Sequence, residues 1–294
     1  MDEAAGILAG LDKAVAKRRL SAPARLLRHP LFTIGVSLGM RFINQVLGGR
    51  FHFRVRAATV LGDAMTVVLP SSTQDIWLYG ASVDSDAEVR LARFLLRTLG
   101  AGGVFFDVGA NLGYYSLLAS RLVGDSGRVL AFEPAPHILP LLEANVGHRK
   151  NVSIVRKALS AAGGSMDFHV APDNLIGSSS LQAGWLKDSK VIQVETLTLD
   201  DYCFGAGAFP SHMKLDVEGA EELVLRGGRR LLRERPPVIA MEVWFDPPAE
   251  AHQRAAALLA EAGYRAHAIM EDGSLGALGP DGLEGHFARL KQRY

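Results

Sequence analysis

Two carboxylates close two short apolar runs 26 residues apart: Asp107 ends Val104-Phe-Phe-Asp107, and Glu133 ends Leu130-Ala-Phe-Glu133. Gly109 and Gly113 follow the first acid, with Asn111 between them. A parallel α/β sheet binds its ligand beyond the carboxyl ends of its strands, so acids at two such ends constrain what the ligand offers. The glycines let backbone approach that ligand at the N-terminus of a helix opening near Tyr114. Glu133 suits a ribose diol, which donates two hydrogen bonds. Asp107 would repel a pyrophosphate, and Gly109-Ala-Asn-Leu-Gly113 lacks the second glycine of the dinucleotide fingerprint. A nicotinamide-dependent oxidoreductase is therefore disfavoured. A ligand with an ammonium, a sulfonium and a ribose fits, and S-adenosylmethionine is such a ligand. The plainer alternative is a strand-turn-helix whose Asp only caps the helix.

A third block, Lys214-Leu-Asp216-Val-Glu218-Gly219, carries the acids best placed to act on an acceptor. Strand alternation puts Lys214, Asp216 and Glu218 on one side, which is unusual in a buried parallel strand. A sugar hydroxyl is a weak nucleophile, and a positioned base contributes about 10²–10⁴-fold. Asp216 is the first candidate for that base, Glu218 the second, and Glu242, ending Val238-Ile-Ala-Met-Glu242, the third. The alternatives are that Lys214 pairs with a nearby carboxylate, that Glu218 caps the following helix, and that Glu242 is an exposed strand-end acid. No spacing of the H-E-x-x-H kind occurs, so no metal ligands are assigned. A metal would need Asp216, Glu218 and Glu242 to converge with His212 or His169.

Phe106-Asp-Val-Gly-Ala-Asn-Leu-Gly-Tyr-Tyr115, Ala131-Phe-Glu-Pro134 and Lys214-Leu-Asp-Val-Glu-Gly-Ala220 resemble the three signature blocks of FkbM-type methyltransferases. Leu199-Asp-Asp201, Val224-Leu-Arg-Gly-Gly228 and Pro237-Val-Ile-Ala-Met-Glu242 extend the likeness, which runs from about Glu88 to Tyr264. The resemblance implies a class I, Rossmann-like, doubly wound and mostly parallel sheet that binds S-adenosylmethionine. It also implies methyl transfer to an oxygen of a sugar, a glycolipid or polysaccharide precursor, or a secondary metabolite. Asp107, Gly109, Asn111, Gly113 and Glu133 would then hold the cofactor. Ala158, after the third strand, would border the adenine. Asn174-Leu-Ile-Gly-Ser-Ser-Ser180 falls where such sequences carry a small polar segment, either a lid over the acceptor or a plain hairpin loop; Trp185 would line the entrance or the core. A nucleic-acid methyltransferase and a non-catalytic cofactor-binding scaffold stay as alternatives. Against nucleic acid, no N-P-P-Y-like motif follows the fourth strand, and the cations are poorly interleaved with aromatics for base stacking.

Strands are expected at 104–107, 128–133, 152–157, 213–217 and 238–243, alternating with helices at 114–123, 136–146, 220–226 and 249–262. Residues 165–170 and 191–197 read as an inserted hairpin, and 264–269 as a last strand before a less readable tail. Upstream, Asp84 or Ser85 caps a helix to Leu99, and residues 51–56, 65–69 and 76–79 read as short strands. Residues 1–60 otherwise read as helices broken at Pro23 and Pro30. Two parts follow: a basic N-terminal extension over 1–84, and a methyltransferase domain over 85–294.

The chain of 294 residues is 48% apolar and 21% charged, enough to bury a sizeable core. Its one cysteine, Cys203, excludes an internal disulfide or a Cys-based zinc site and reads as a small buried residue. Net charge is only +1, yet Lys13 to Gly62 holds ten cations and no Asp or Glu. Mixed with Leu26, Leu27, Leu31, Phe32 and Ile34, that block over residues 13–62 suits an anionic membrane surface. Equally, its apolar residues can pack on the catalytic body or a second subunit. Leu31 to Met40 is too short to span a bilayer, and Met1-Asp-Glu3 lacks the apolar core of a leader. The expected location is cytoplasmic, peripheral to the membrane if the block docks there.

Overall fold

The computed structural model describes residues 3–20, 52–69, 71, 73–170, 179–182, 189–243, 250–278 and 282. Asn174, Trp185 and the Pro23 and Pro30 breaks lie outside them, as does most of the apolar part of the basic block. The chain divides into two compact units that change over between Val89 and Arg90. Among the described residues, no helix is long and apolar enough to cross a membrane.

The first unit opens with α1 (Glu3–Arg18), whose Ile7, Leu11, Ala14 and Val15 are buried at helical spacing. Strands β1 (Phe53–Ala58) and β2 (Ala64–Leu69) form an antiparallel hairpin, pairing Phe53 with Leu69 and Ala58 with Ala64. Residues 76–79, expected as a strand, belong instead to helix α2 (Gln74–Tyr79). Ile-Trp-Leu-Tyr is apolar throughout, so it carries no period to tell strand from buried helix. Gly80, left-handed at φ 78°, ends the helix by donating its N–H to the Ile76 carbonyl.

Helix α3 (Asp86–Thr98) leads into the second unit, and the Ser85 hydroxyl accepts the Glu88 N–H at its start. A five-stranded, fully parallel sheet forms the centre of that unit. Its strands are β3 (Val104–Val108), β4 (Arg128–Phe132), β5 (Val152–Val155), β9 (His212–Leu215) and β10 (Val238–Met241), in the spatial order β10-β9-β3-β4-β5. From β3 the chain builds outward through β4 to β5, then returns to the other side of β3 as β9. The switch point therefore lies between β3 and β9, where a doubly wound sheet opens a crevice. The five strands are the Rossmann-like core expected from the sequence.

One face of the sheet presents Phe106, Val108, Leu130, Phe132, Met213 and Leu215 to a common core with α6 (Leu199–Ala206), α7 (Glu221–Arg226), α8 (Arg229–Glu234) and α9 (Glu250–Glu261). Phe106, Phe132 and Tyr202 pack ring against ring there, with centroids 5.1–5.8 Å apart. Cys203 is buried in this core and its thiol is pushed up to about 12 by burial, as suits an inert packing residue. The opposite face carries Asp107 toward α4 (Tyr114–Val123), and α5 (Leu139–Val146) lies beyond α4.

The third core strand stops at Val155, two residues short of the expected end. Arg156 turns outward to Glu143 at 3.0 Å, and the chain re-enters as β6 (Ala158–Leu159). It pairs parallel with β8 (Lys190–Leu197), whose other side holds the antiparallel β7 (Gly164–Val170). The expected hairpin is thus two strands of a separate three-stranded sheet. Only residues 267–269 of the expected last strand are extended: β11 (His267–Ile269) pairs with β12 (Leu275–Ala277), apart from the central sheet. Arg93 of α3 donates to the Glu271 carbonyl at 2.6 Å in the turn of that hairpin.

Gly109 explains how β3 and β9 approach at their exits. At φ 80° it sits in the left-handed region, and a Cβ there would lie 1.9 Å from the Asp216 carbonyl oxygen. Gly113 is similar: its Cβ would meet Val146 and Leu142 at 2.6 and 2.7 Å. Both glycines therefore serve contact of chain with chain, where the sequence suggested room for a ligand. Gly109→Ala should destabilise the fold by about 2–4 kcal/mol through overpacking and a left-handed backbone, read as a lowered Tm in thermal unfolding.

Candidate active site

Parallel register lines the acids up. Asp107 pairs with Lys214 and Ala131, Val108 with Leu215 and Phe132, and Leu215 with Met241. One residue further on, Glu242, Asp216, Gly109 and Glu133 stand level at four adjacent strand exits.

Lys214 is the centre of the row. Its ammonium is buried, 3.1 Å from an Asp216 oxygen and 3.7 Å from Asp107 Oδ1, and it donates to the Gly109 carbonyl at 3.1 Å. The Tyr115 ring lies 5.6 Å from it. Asp107 is wholly buried, and Ser116 of α4 donates to its Oδ2 at 2.6 Å. Burial pushes the Asp107 carboxyl above the usual range, opposed by the Lys214 charge and the Ser116 hydroxyl. The reading of Lys214 as partner to a carboxylate thus holds for two of them at once.

Glu133 is also buried. Asn111 N–H donates to one of its oxygens and Ala135 N–H to the other, both at 2.9 Å. Burial pushes its carboxyl up to about 7 against those two bonds. Asn111 takes φ 48°, uncommon for a residue with a side chain. Among the described residues, buried Asn111 Oδ1 has no hydrogen-bond donor, and buried Asp107 Oδ1 has only the Lys214 ammonium, at 3.7 Å and beyond hydrogen-bond reach. Two buried acceptors with hydrogen-bonding capacity to spare suit a ligand that brings an ammonium. Each Glu133 oxygen keeps a lone pair for a hydroxyl. These residues fit S-adenosylmethionine. Beside Glu133, a groove of about 490 Å³ is lined by Pro134, Pro136, Leu139, residues 154–157 and residues 193–195 of β8. Ala158 is not in its lining; it is buried in β6, paired with Thr196.

Alternation does not carry through the third block. Strand β9 ends at Leu215, and Glu218 lies in a turn at φ 54°, followed by Gly219 at φ 91°. Ala220 stands at the N-cap of α7, and the Glu221 carboxylate binds this turn through the Val217 and Gly219 N–H groups. Ser180 donates to the Glu218 carbonyl at 2.6 Å. The Asp216 side chain is 30% exposed, so one end meets Lys214 and the other is reachable. Glu242 is exposed, and its carbonyl lies 3.0 Å from His252 Nδ1. No three of the described His, Cys, Asp and Glu residues group as a metal site. Burial lowers the His212 pKa. Ser116, Glu221 and His252 were missed, whereas Ser180 closes the segment over 174–180 expected as a lid or a plain loop. Among the missed residues only Glu221 left a trace, as an acid inside an apolar helix face.

A family model described as the methyltransferase FkbM domain matches residues 107–266. The chain is 29% identical over 157 residues to the hexuronic acid methyltransferase AglP of Haloferax volcanii, covering 53% of this chain and 61% of that protein. It is 30% identical over 145 residues to the 2-O-methyltransferase NoeI of Sinorhizobium fredii, covering 44% and 58%. It thus spans about three-fifths of the length of these relatives. A crystal structure of methyltransferase FkbM from Methylobacillus flagellatus aligns with 16% identity and a TM-score of 0.38, over 54% of this chain and 37% of that one.

The Glu133 carboxyl gives this site a pH dependence whose sign is fixed. Its folded pKa, about 7, lies above the ordinary 4.5, so folding favours the protonated form. Its contribution to stability is present below about pH 4.5, declines as pH rises toward 7, and is flat beyond. The ribose contact expected of Glu133 would draw on the ionised form and run the other way. Affinity for S-adenosylmethionine should tighten up to about tenfold per pH unit as pH rises toward 7, then level off. Glu133→Gln should flatten that profile and weaken binding by about 1.5–3 kcal/mol, both read by titration calorimetry between pH 6 and 8.5.

Proposed function

The chain belongs to the FkbM methyltransferase family, and from that premise we propose that it transfers the methyl group of S-adenosylmethionine to a hydroxyl of a sugar. The level row of Glu133, Gly109 and Asp216 at the strand exits, with the two buried acceptors behind it, carries this reading. S-adenosylmethionine supplies a methyl group whose leaving thioether is neutral. Glu133 holds the ribose hydroxyls, while Asp107 and Asn111 accept from the ammonium. Asp216 faces the acceptor from the neighbouring strand and takes the hydroxyl proton, with Lys214 fixing the carboxylate's direction. Holding the acceptor oxygen on the line of transfer contributes on the order of 7–11 kcal/mol. Glu218 and Glu242 border the acceptor. The sugar class follows the names of the two relatives, a hexuronic acid methyltransferase and a 2-O-methyltransferase.

Catalysis belongs to residues 85–294 in this reading, with 1–84 as an accessory extension. The block over 13–62 then offers peripheral contact with an anionic membrane, which would suit a lipid-linked sugar. Arg54 and Arg56 stand exposed on β1, whereas Arg18 is already matched by Asp75 and Asp86 at 3.6 and 3.9 Å. Co-sedimentation with phosphatidylserine vesicles should fall with salt and be lost on deleting residues 1–60. An absence of binding at low salt overturns that docking.

Incubation with S-adenosylmethionine and hexuronic acid-bearing glycans should yield a singly methylated product, detected by mass spectrometry. Asp216→Asn keeps the shape but not the basicity; its turnover should fall about 10²-fold or more at saturating cofactor, with cofactor affinity held.

A further inference from the structure

Behind the row of strand exits lies a third buried acid, to which the reading above gives no part. Glu221 opens α7 and its Oε1 accepts the N–H groups of Val217 and Gly219, at 3.0 and 3.4 Å. Those two bonds close the turn in which Glu218 takes its left-handed backbone. Glu221 Oε2 faces His252 Nδ1 at 3.6 Å, and the same nitrogen lies 3.0 Å from the Glu242 carbonyl. The Glu242 carbonyl can only accept, so Nδ1 carries a proton. His252 comes from α9 and is 1% exposed. A single imidazole thereby bridges the turn after β9 to the exit of β10.

Apolar side chains would fill this space without the cost of desolvating an acid and an imidazole, so stability is a weak reason for the pair. Defining one geometry is a better one. We propose that Glu221 and His252 are positioning residues for methyl transfer: they hold the Asp216–Gly219 turn against the Glu242 exit, so that the acceptor is gripped from two strands at once. This rests on the function proposed above. The pair acts on the acceptor side, and Glu133 with its neighbours is left alone.

Full-length His252→Phe, Glu221→Leu and Glu221→Gln test it through three readouts: sugar methylation kinetics, calorimetric affinity for S-adenosylmethionine, and amide hydrogen exchange over residues 216–219. His252→Phe and Glu221→Leu should exchange faster in that turn, lose at least tenfold in kcat or acceptor KM, and keep the cofactor Kd within twofold. Glu221→Gln retains an accepting oxygen; it should restore protection and stay within about threefold of wild type. Where Glu221→Leu fails to fold, His252→Phe and Glu221→Gln carry the comparison. Faster exchange with unchanged kinetics overturns the proposal, as does unchanged exchange in His252→Phe. A wild-type chain that binds S-adenosylmethionine yet methylates no sugar overturns the function proposed above. The exchange readout still decides whether the pair holds the turn.

Discussion

An ammonium held between two carboxylates at the switch point sets the terms for everything around it. Lys214 has nearly all of its side chain out of water, and so does Asp107; only Asp216 reaches the surface. Taking one partner from such a buried set typically costs about 3–5 kcal/mol, because a charge is then left without its counterpart. The strands supply the partners by register alone, since Asp107 and Lys214 are paired neighbours. Close approach of Gly109 to the Asp216 backbone keeps the exits of β3 and β9 together. A shift of one residue would turn Lys214 toward the apolar core.

Two kinds of carboxylate result. Asp107 and Glu133 are desolvated and anchored by Ser116 or by backbone N–H groups, as groups that recognise a fixed ligand should be. Asp216 is partly exposed and tethered from one side, as the proposed contact with an acceptor requires. Burial, and not residue type, separates the two roles proposed for them.

What the sequence made legible was the part governed by local pattern. Apolar runs ending in acids located β3 and β4, and the run into Asp216 located β9. Asp107 and Glu133 could be singled out because an acid at the end of a buried strand is costly without a partner. Contacts that depend on distant segments stayed hidden. His252 is an isolated histidine in the sequence, and only the packing of α9 brings it to Glu221. The turn after Leu215 was obscured because Lys-Leu-Asp-Val-Glu alternates perfectly in type while the backbone stops alternating. The helix at 74–79 was hidden for the opposite reason, an unbroken apolar run with no period at all.

Asn111 and Glu218 have a consequence for anyone redesigning the protein. They are the two non-glycine residues with positive φ among those described, and both lie in turns at the carboxyl edge of the central sheet. An engineer optimising thermal tolerance would write glycine at each, gaining backbone ease. The product would be a more comfortable scaffold with two polar groups erased beside the crevice. In the function proposed above, the demands of folding and those of recognition would pull apart at these two positions.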